Sequence, residues 1–324
     1  MAPLRIMSWM MLRRLHRPLI LQVGTEGCIN ALRRSPRGFA SRRASRLLAI
    51  LRMVRPINCL MIGFAVVVAE FIAVGGPPQL HEAALGSLSA VLLMAGTMAI
   101  NDYFDLEADR INRPYRPLPS GLITPRQAVS VGLATLAVGL SAAASLNMDA
   151  LATATAALFL TVYYNMKGKR TGFFGNILVS ICIGLPFVFG GAVVGRVTLK
   201  LLFFSIIAFT ANLGREVTKG IVDVEGDLLM KVKTVAVVHG SEAASRFAAL
   251  LYFAVIGLSL GPPALKIVTP LYLPFVLVSD AGFLVSSVSL LRNCARENAE
   301  WVKGMVMFWM FIGLLAFIAG SFSP

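Results

Sequence analysis

The sequence predicts an all-α, polytopic membrane protein whose chain crosses the bilayer about nine times in a single bundle. Of its 324 residues, 57% are hydrophobic and 14% are charged, and the mean hydropathy is +0.76. An ordinary soluble domain has about 25% charged residues, so this surplus of apolar side chains indicates a lipid environment. The apolar stretches run to about 16–24 residues, close to the ~20 that a helix needs to cross the hydrocarbon core. They are too long and too uniformly apolar for barrel strands.

Nine spans result from cutting the chain at its polar residues, and no linker divides them into separate domains. In chain order they are residues 57–75, 84–100, 127–146, 150–165, 173–194, 199–213, 247–262, 267–291 and 304–322. We therefore expect one membrane domain over residues 51–324. Residues 1–50 form a basic extension that we expect to be poorly ordered. Its arginine-rich, acid-poor composition also fits a transit peptide or attachment to anionic lipid.

The basic residues predict the orientation, because Lys and Arg are retained on the cytoplasmic side of short loops. The loops after spans 2, 4, 6 and 8 carry 15 Lys and Arg residues, whereas the opposite loops carry only Arg196, Lys200 and Lys266. This bias predicts a multi-pass protein of the cell membrane with a cytoplasmic N-terminus. The net charge of +14 thus reflects topology and the arginine-rich start of the chain, and not nucleic-acid binding. The four cysteines are far apart, which indicates neither a zinc site nor a disulfide framework.

Two acidic clusters follow spans 2 and 6. If span 2 continues as a helix, Asn101, Asp105 and Asp109 lie on one face, about 6 Å apart in steps of one turn. Asp223 and Asp227 repeat the same spacing after span 6. Carboxylates this close repel one another unless a cation lies between them. Oxygen ligands without nearby His or Cys are typical of Mg²⁺, which often takes substrate phosphates as further ligands.

Basic residues surround both clusters. A group after span 4 contains Tyr163, Tyr164, Lys167, Lys169 and Arg170, and further Lys and Arg residues flank the acids. A divalent metal held by acids and ringed by basic side chains binds a diphosphate and stabilises it as a leaving group. The sequence therefore predicts a magnesium-dependent enzyme acting on a lipid diphosphate at the cytoplasmic face.

Two other classes of protein stay open. Glu70 and Asp280 fall inside predicted spans, where an ionisable side chain is by default a functional hypothesis, so a cation-coupled transporter is one alternative. A lipid-binding scaffold without catalysis is another. Most acids lie at the cytoplasmic ends of spans, and not at mid-membrane, which favours the enzyme.

The segment from Asn101 to Gly121, NDYFDLEADRINRPYRPLPSG, resembles the first signature of the UbiA-type intramembrane prenyltransferases, NDxxDxxxD followed by N-x-P-x-R-P. Their second signature, DxxxD followed shortly by a lysine, is matched by Asp223, Asp227 and Lys231 or Lys233. The run from Arg55 to Asn58 and the group from Tyr163 to Lys169 are also similar to family elements. The resemblance covers residues 50–322 and leaves the extension unexplained.

This resemblance implies a nine-helix bundle with both acidic loops facing a central cavity. It also implies roles for matching residues. The Mg²⁺ ligands would be Asn101, Asp105, Asp109, Asp223 and Asp227. The four aspartates among them would also be the catalytic residues. The diphosphate would contact Arg116, Tyr163, Lys167 or Lys169, and Lys233. Ionisation of the diphosphate would leave an allylic carbocation for a second substrate to capture.

Within this superfamily, the runs that begin at Arg55 and at Arg215 look most like the archaeal digeranylgeranylglyceryl phosphate synthases. That branch transfers a geranylgeranyl group to the hydroxyl of a lipid phosphate, geranylgeranylglyceryl phosphate. Its phosphate would contact Arg55, Arg215 and Lys219, beside Asn58. Acids usually stand at the positions of Gly220 and Val222 in that branch, so an aromatic acceptor such as 4-hydroxybenzoate, or a chlorin, stays open. No obligate protein partner is indicated.

Overall fold

The computed structural model describes residues 40–322, and every regular element in that range is a helix. The helices are α1 Ala40–Val54, α2 Pro56–Val74, α3 Leu80–Phe104, α4 Leu106–Asn112, α5 Pro125–Ala144, α6 Met148–Met166, α7 Phe173–Val193, α8 Leu199–Val222, α9 Val224–Leu229, α10 Val235–Ser259, α11 Gly261–Ala264, α12 Tyr272–Arg292 and α13 Arg296–Ala319. The predicted all-α fold is confirmed. One compact unit begins at Leu48. Most of the predicted extension, residues 1–39, lies outside the described residues, so its disorder and the boundary at residue 50 stay predictions.

Eight of the described helices are long and apolar enough to cross a membrane, namely α2, α3, α5, α7, α8, α10, α12 and α13. The predicted span 150–165 corresponds to α6, a helix of 19 residues that is not among these eight. Its last turn carries Tyr163, Tyr164 and Asn165, whose polar groups lower its hydropathy. The nine predicted spans therefore match nine helices, of which eight qualify as membrane spans by length and composition.

Two helices extend well beyond their predicted apolar spans. Helix α8 continues to Val222 and not to residue 213. Helix α10 begins at Val235 and not at 247, with a kink at Gly240, whose φ of 84° and ψ of 163° are not helical. Thr234 caps α10, because its hydroxyl accepts a hydrogen bond from the amide of Val237. Helical hydrogen bonding does not end where apolar side chains end, so Glu216 and Lys219 lie on a helix and not in a loop.

Close helix contacts hold the bundle together. Helices α2, α3, α5, α6 and α7 pack in sequence, α8, α10, α12 and α13 pack with one another, and α7 contacts both α2 and α8. Glycines allow close approach: a Cβ at Gly96 of α3 would lie 2.8 Å from the carbonyl of Gly132 on α5. Phe204 and Phe317 stack at 3.7 Å between α8 and α13. This packing places the ends of α3 and α8 beside the turn that follows α6.

Candidate active site

The first acidic segment begins on the last turn of α3. The helix ends at Phe104, and α4 starts directly after Asp105, whose φ of −86° and ψ of 0° stay close to helical values. Backbone bonds continue across the break, from the Asp105 amide to the Asn101 carbonyl at 3.0 Å and from the Asp109 amide to the Asp105 carbonyl at 2.8 Å. The side-chain amide of Asn101 also donates to the Asp105 carboxylate at 3.1 Å. Asn101 and Asp105 therefore share a face, as their spacing predicts.

The second acidic segment has the same local geometry. Helix α8 ends at Val222, α9 starts at Val224, and Asp223 between them has φ −97° and ψ 9°. Its amide donates to the Lys219 carbonyl at 3.0 Å, and the Asp227 amide donates to the Asp223 carbonyl at 2.9 Å. Each DxxxD pair thus has its first aspartate at the junction of a long helix and a short one.

Lys169 connects the first segment to α6 and α7. It lies in a 3₁₀ turn, Gly168–Arg170, and its ammonium group donates to the Asp105 carboxylate at 2.6 Å and to the side-chain oxygen of Asn101. The turn packs closely on α7, since a Cβ at Gly175 would lie 2.4 Å from the carbonyl of Gly168. The turn that carries Lys169 is therefore packed directly against the first turn of α7.

A cavity of about 480 Å³, the donor cavity, lies among α2, α3, α6 and α7. Its mouth is polar and charged, and the side chains there are Arg55, Asn101, Asp105, Arg113, Arg116, Tyr164, Asn165, Lys169 and Lys219. The deeper wall is apolar and ends at Val66, Ala90, Ala154 and Phe189. Ala90 and Asn101 are eleven positions apart on α3, so at 1.5 Å per residue the cavity extends about 16 Å along this helix. A long apolar chain with a charged head group fits this shape.

A second, smaller cavity of about 100 Å³, the acidic cavity, adjoins the first. Tyr164, Lys169 and Lys219 line both cavities. The acids and amide that line only the smaller one are Asn176, Glu216, Asp223 and Asp227. The structure therefore brings the two acidic segments to opposite sides of a shared set of basic and phenolic side chains.

The acidic cavity fits a magnesium ion better than the first acidic segment does. Among the described residues, Asp102, Asp105 and Asp109 are ion-paired with Arg or Lys, whereas Asp223 and Asp227 are not. No group of three or more His, Cys, Asp or Glu residues that could hold a metal is found in that part of the chain. Mg²⁺ needs only one or two protein carboxylates when waters and substrate phosphates complete its coordination. Asp223 and Asp227 meet that requirement.

The charge of Asp223 affects the pKa of Asp227. Burial raises the pKa of the Asp227 carboxyl above its ordinary value, and the negative charge of Asp223 raises it further. A hydrogen bond from Thr234 and the charge of Lys219 lower the pKa and offset part of this shift. A divalent cation between the two carboxylates would relieve their repulsion.

Six predicted site residues line neither cavity: Asn58, Asp109, Tyr163, Lys167, Arg215 and Lys233. Asp109 faces Arg116 at 2.5 Å, and Arg215 donates to the adjacent Glu216 at 3.0 Å. The other four are exposed. Tyr163 and Tyr164 are about 100° apart around α6, so only one of them faces the bundle. The structure selects Tyr164, which the motif resemblance alone did not.

The prediction also missed three charged residues. Arg113 lines the donor cavity, and Glu216 lines the acidic cavity while accepting hydrogen bonds from Arg215 and Lys219. Asp102 is only 3% exposed and contacts two arginines of the donor cavity. An acid at the end of an apolar span is the signal that could have identified Asp102 and Glu216, because such a group needs a cationic partner.

Comparison with known proteins agrees with this geometry. A model of the UbiA prenyltransferase family matches residues 62–313. The digeranylgeranylglyceryl phosphate synthase of Methanopyrus kandleri is 38% identical over 84% of this chain and 98% of its own length, and that of Pyrococcus abyssi is 33% identical over 84% and 97%. A solved structure of digeranylgeranylglyceryl phosphate synthase has a TM-score of 0.77 at 29% identity, covering 86% of this chain and 99% of its own. A UbiA homologue of Archaeoglobus fulgidus, solved with GPP and Mg²⁺, has a TM-score of 0.61 at 20% identity, covering 83% and 99%.

Proposed function

The chain belongs to the UbiA prenyltransferase family, and we propose that it transfers a geranylgeranyl group from geranylgeranyl diphosphate to the hydroxyl of geranylgeranylglyceryl phosphate. Membership confirms the motif resemblance and makes the chain a multi-pass membrane prenyltransferase. The transporter and the non-catalytic scaffold are therefore wrong. The activity named for the relatives supports the lipid-phosphate acceptor over an aromatic one.

The observation that carries this proposal is the donor cavity. Its charged mouth suits the diphosphate, and its apolar wall suits the prenyl chain. Of the predicted binding residues, Arg55, Arg116, Lys169 and Lys219 line it, and Tyr164 joins them. The cavity geometry gives no support to Asn58, Tyr163, Lys167, Arg215 or Lys233 as direct ligands.

In the proposed reaction, cationic side chains take up the charge that develops on the leaving diphosphate. Lys169 and Lys219 line both cavities, so their ammonium groups stand between the prenyl chain and the acidic segments. Tyr164 contributes a hydroxyl at the same place. The apolar wall keeps water away from the allylic carbocation until the acceptor hydroxyl captures it.

We propose that Asp223 and Asp227 hold Mg²⁺. Asn101, Asp105 and Asp109 would form the second set of metal ligands, on the other acidic segment. When bound, the metal would neutralise the diphosphate as a Lewis acid. Asp105 is ion-paired with Lys169, and Asp109 is ion-paired with Arg116. These two acids would therefore also hold basic side chains that face the substrate. The basic loops after α3, α6, α8 and α12 support an active site on the cytoplasmic side.

A transfer assay tests the acceptor. Membranes containing the protein are incubated with labelled geranylgeranyl diphosphate and Mg²⁺, and with geranylgeranylglyceryl phosphate or 4-hydroxybenzoate as acceptor. We expect label in the ether lipid only, and none when EDTA is in excess. Efficient prenylation of 4-hydroxybenzoate without ether-lipid product would refute geranylgeranylglyceryl phosphate as the acceptor, but it would leave the membership of the prenyltransferase family intact. Full activity in excess EDTA would refute the proposed dependence of the reaction on Mg²⁺.

A further inference from the structure

Asp102 is the most deeply buried acid next to the site, and it lines neither cavity. It follows Asn101 directly, so its side chain is about 100° around α3 from the residues that face the donor cavity. Its Oδ1 accepts a hydrogen bond from the Arg55 guanidinium at 2.9 Å and lies 3.6 Å from a guanidinium nitrogen of Arg116. Those two arginines line the donor cavity on their other side.

The backbone of Arg55 supports a positioning role for this contact. Arg55 has φ 53° and ψ 70°, a left-handed conformation that costs a non-glycine residue roughly 1 kcal/mol or more. Pro56, which follows, disfavours the right-handed helical conformation at residue 55. A positive side chain at the start of α2 is also unfavourable beside the positive end of the helix dipole. The Asp102 carboxylate offsets that charge and holds the strained residue in place.

The buried charge of Asp102 and the number of donors on each arginine indicate how the two groups interact. A carboxylate that is 3% exposed needs cationic partners, and the arginines supply them. Each guanidinium has five N–H donors in a planar fork, and Asp102 takes only one edge of Arg55. Arg55 also lines the donor cavity, so its remaining donors are available to a phosphate group there, which an Arg can bind with two parallel hydrogen bonds.

We propose that Asp102 is a positioning residue that orients Arg55 for the phosphate groups of the substrates, whereas Asp109 holds Arg116, and that Asp102 does not bind the metal. This inference rests on the proposed function, because it takes Arg55 as a phosphate ligand. It separates Asp102 from its motif neighbours Asn101 and Asp105, which do face the cavity.

The test compares Asp102→Asn with the wild type in three measurements on the purified full-length protein. We expect the KM for a phosphorylated substrate to rise about tenfold or more, with kcat within about threefold. We expect the Mg²⁺ concentration for half-maximal activity to stay within about twofold. In an Arg55→Gln background, Asp102→Asn should raise the KM no further, because the group it orients has been removed. The matched control is Glu242→Gln, which breaks an exposed pair with Arg246 and should change none of these values.

Each alternative gives a different result. If Asp102→Asn raises the half-maximal Mg²⁺ concentration tenfold, Asp102 is a metal ligand and the proposal is wrong. An unchanged KM, or additive effects of the two substitutions, would also overturn it. Should Asp102→Asn fail to fold, Arg55→Lys replaces it, since that variant keeps the charge but loses the planar fork. It is expected to raise the KM at an unchanged Tm, and an unchanged KM would count against the proposal.

A binding measurement separates this inference from the transferase activity itself. Inorganic diphosphate with Mg²⁺ should raise the Tm of the wild type, and Asp102→Asn should lose most of that increase. If the wild type transfers no prenyl group to any acceptor, the proposed function fails, while the Tm increase still decides the role of Asp102. An equal increase in both proteins would refute it.

Discussion

Ala90 lies at the deep end of the donor cavity, where Ala90→Phe should shorten the prenyl chain that the enzyme accepts. It is 7% exposed and belongs to the same buried cluster as Val66 and Phe189. The substitution adds six ring carbons, about the size of one five-carbon isoprene unit. At ~0.8 kcal/mol per buried CH₂, displacing that unit removes up to about 4 kcal/mol of binding. One tenfold factor per 1.4 kcal/mol gives a loss of up to about 10²–10³-fold in kcat/KM for geranylgeranyl diphosphate.

The shorter geranyl diphosphate ends before this depth, so its kcat/KM should change by less than about threefold. The assay measures kcat/KM for both donors with one acceptor. The ratio of the two values shows which prenyl chain length is preferred, and it does not depend on the fraction of enzyme that is active. Leu88→Phe is the matched control, because Leu88 lies on the same helix, two residues away, and is 45% exposed on the outer face. An unchanged ratio in Ala90→Phe, or an equal change in Leu88→Phe, would refute the placement of the prenyl chain in this cavity.

Three further results are expected. Asp223→Asn should retain less than about a tenth of wild-type turnover, which corresponds to a barrier raised by more than ~1.4 kcal/mol. Glu225→Gln changes a nearby exposed acid and should keep wild-type turnover; equal activities of the two variants would exclude Asp223 as a metal ligand. Lys169→Gln removes a cation that lines both cavities, and a charged hydrogen bond from it to the leaving diphosphate is worth ~1.5–3 kcal/mol, so kcat/KM should fall by about 10–150-fold. A fall in Tm with an unchanged kcat/KM would instead assign Lys169 to folding through its bond to Asp105. The raised pKa of Asp227 makes protons compete with Mg²⁺ at a higher pH than for an ordinary aspartate, so a tenfold increase in Mg²⁺ should move the acid limb of kcat/KM to lower pH; a limb that does not respond would contradict this competition.

Particular residues show how far sequence reasoning reached into the site. Asn101 and Asp105 were predicted to share a face, and their side chains are joined by a hydrogen bond of 3.1 Å. That prediction needed only the 3.6-residue turn. Tyr163 was taken from the motif, but Tyr164 lines the cavities, because hydropathy does not give the rotation of α6 at its polar last turn. The lengths of α8 and α10 were underestimated for a related reason, since apolar runs mark the membrane and not the ends of helices.

The sequence by itself determined the all-helical class, the approximate spans, the two DxxxD spacings and the family. Each of these depends on residues close together along the chain, where helix geometry and the thickness of the bilayer act locally. Only the tertiary structure decided which charges meet. Asp102 finds Arg55, 47 residues earlier in the chain, and Lys169 reaches Asp105, 64 residues away. Such pairs depend on which helix faces touch, and that is decided by side-chain packing over the whole bundle, which the spacing along one helix does not encode.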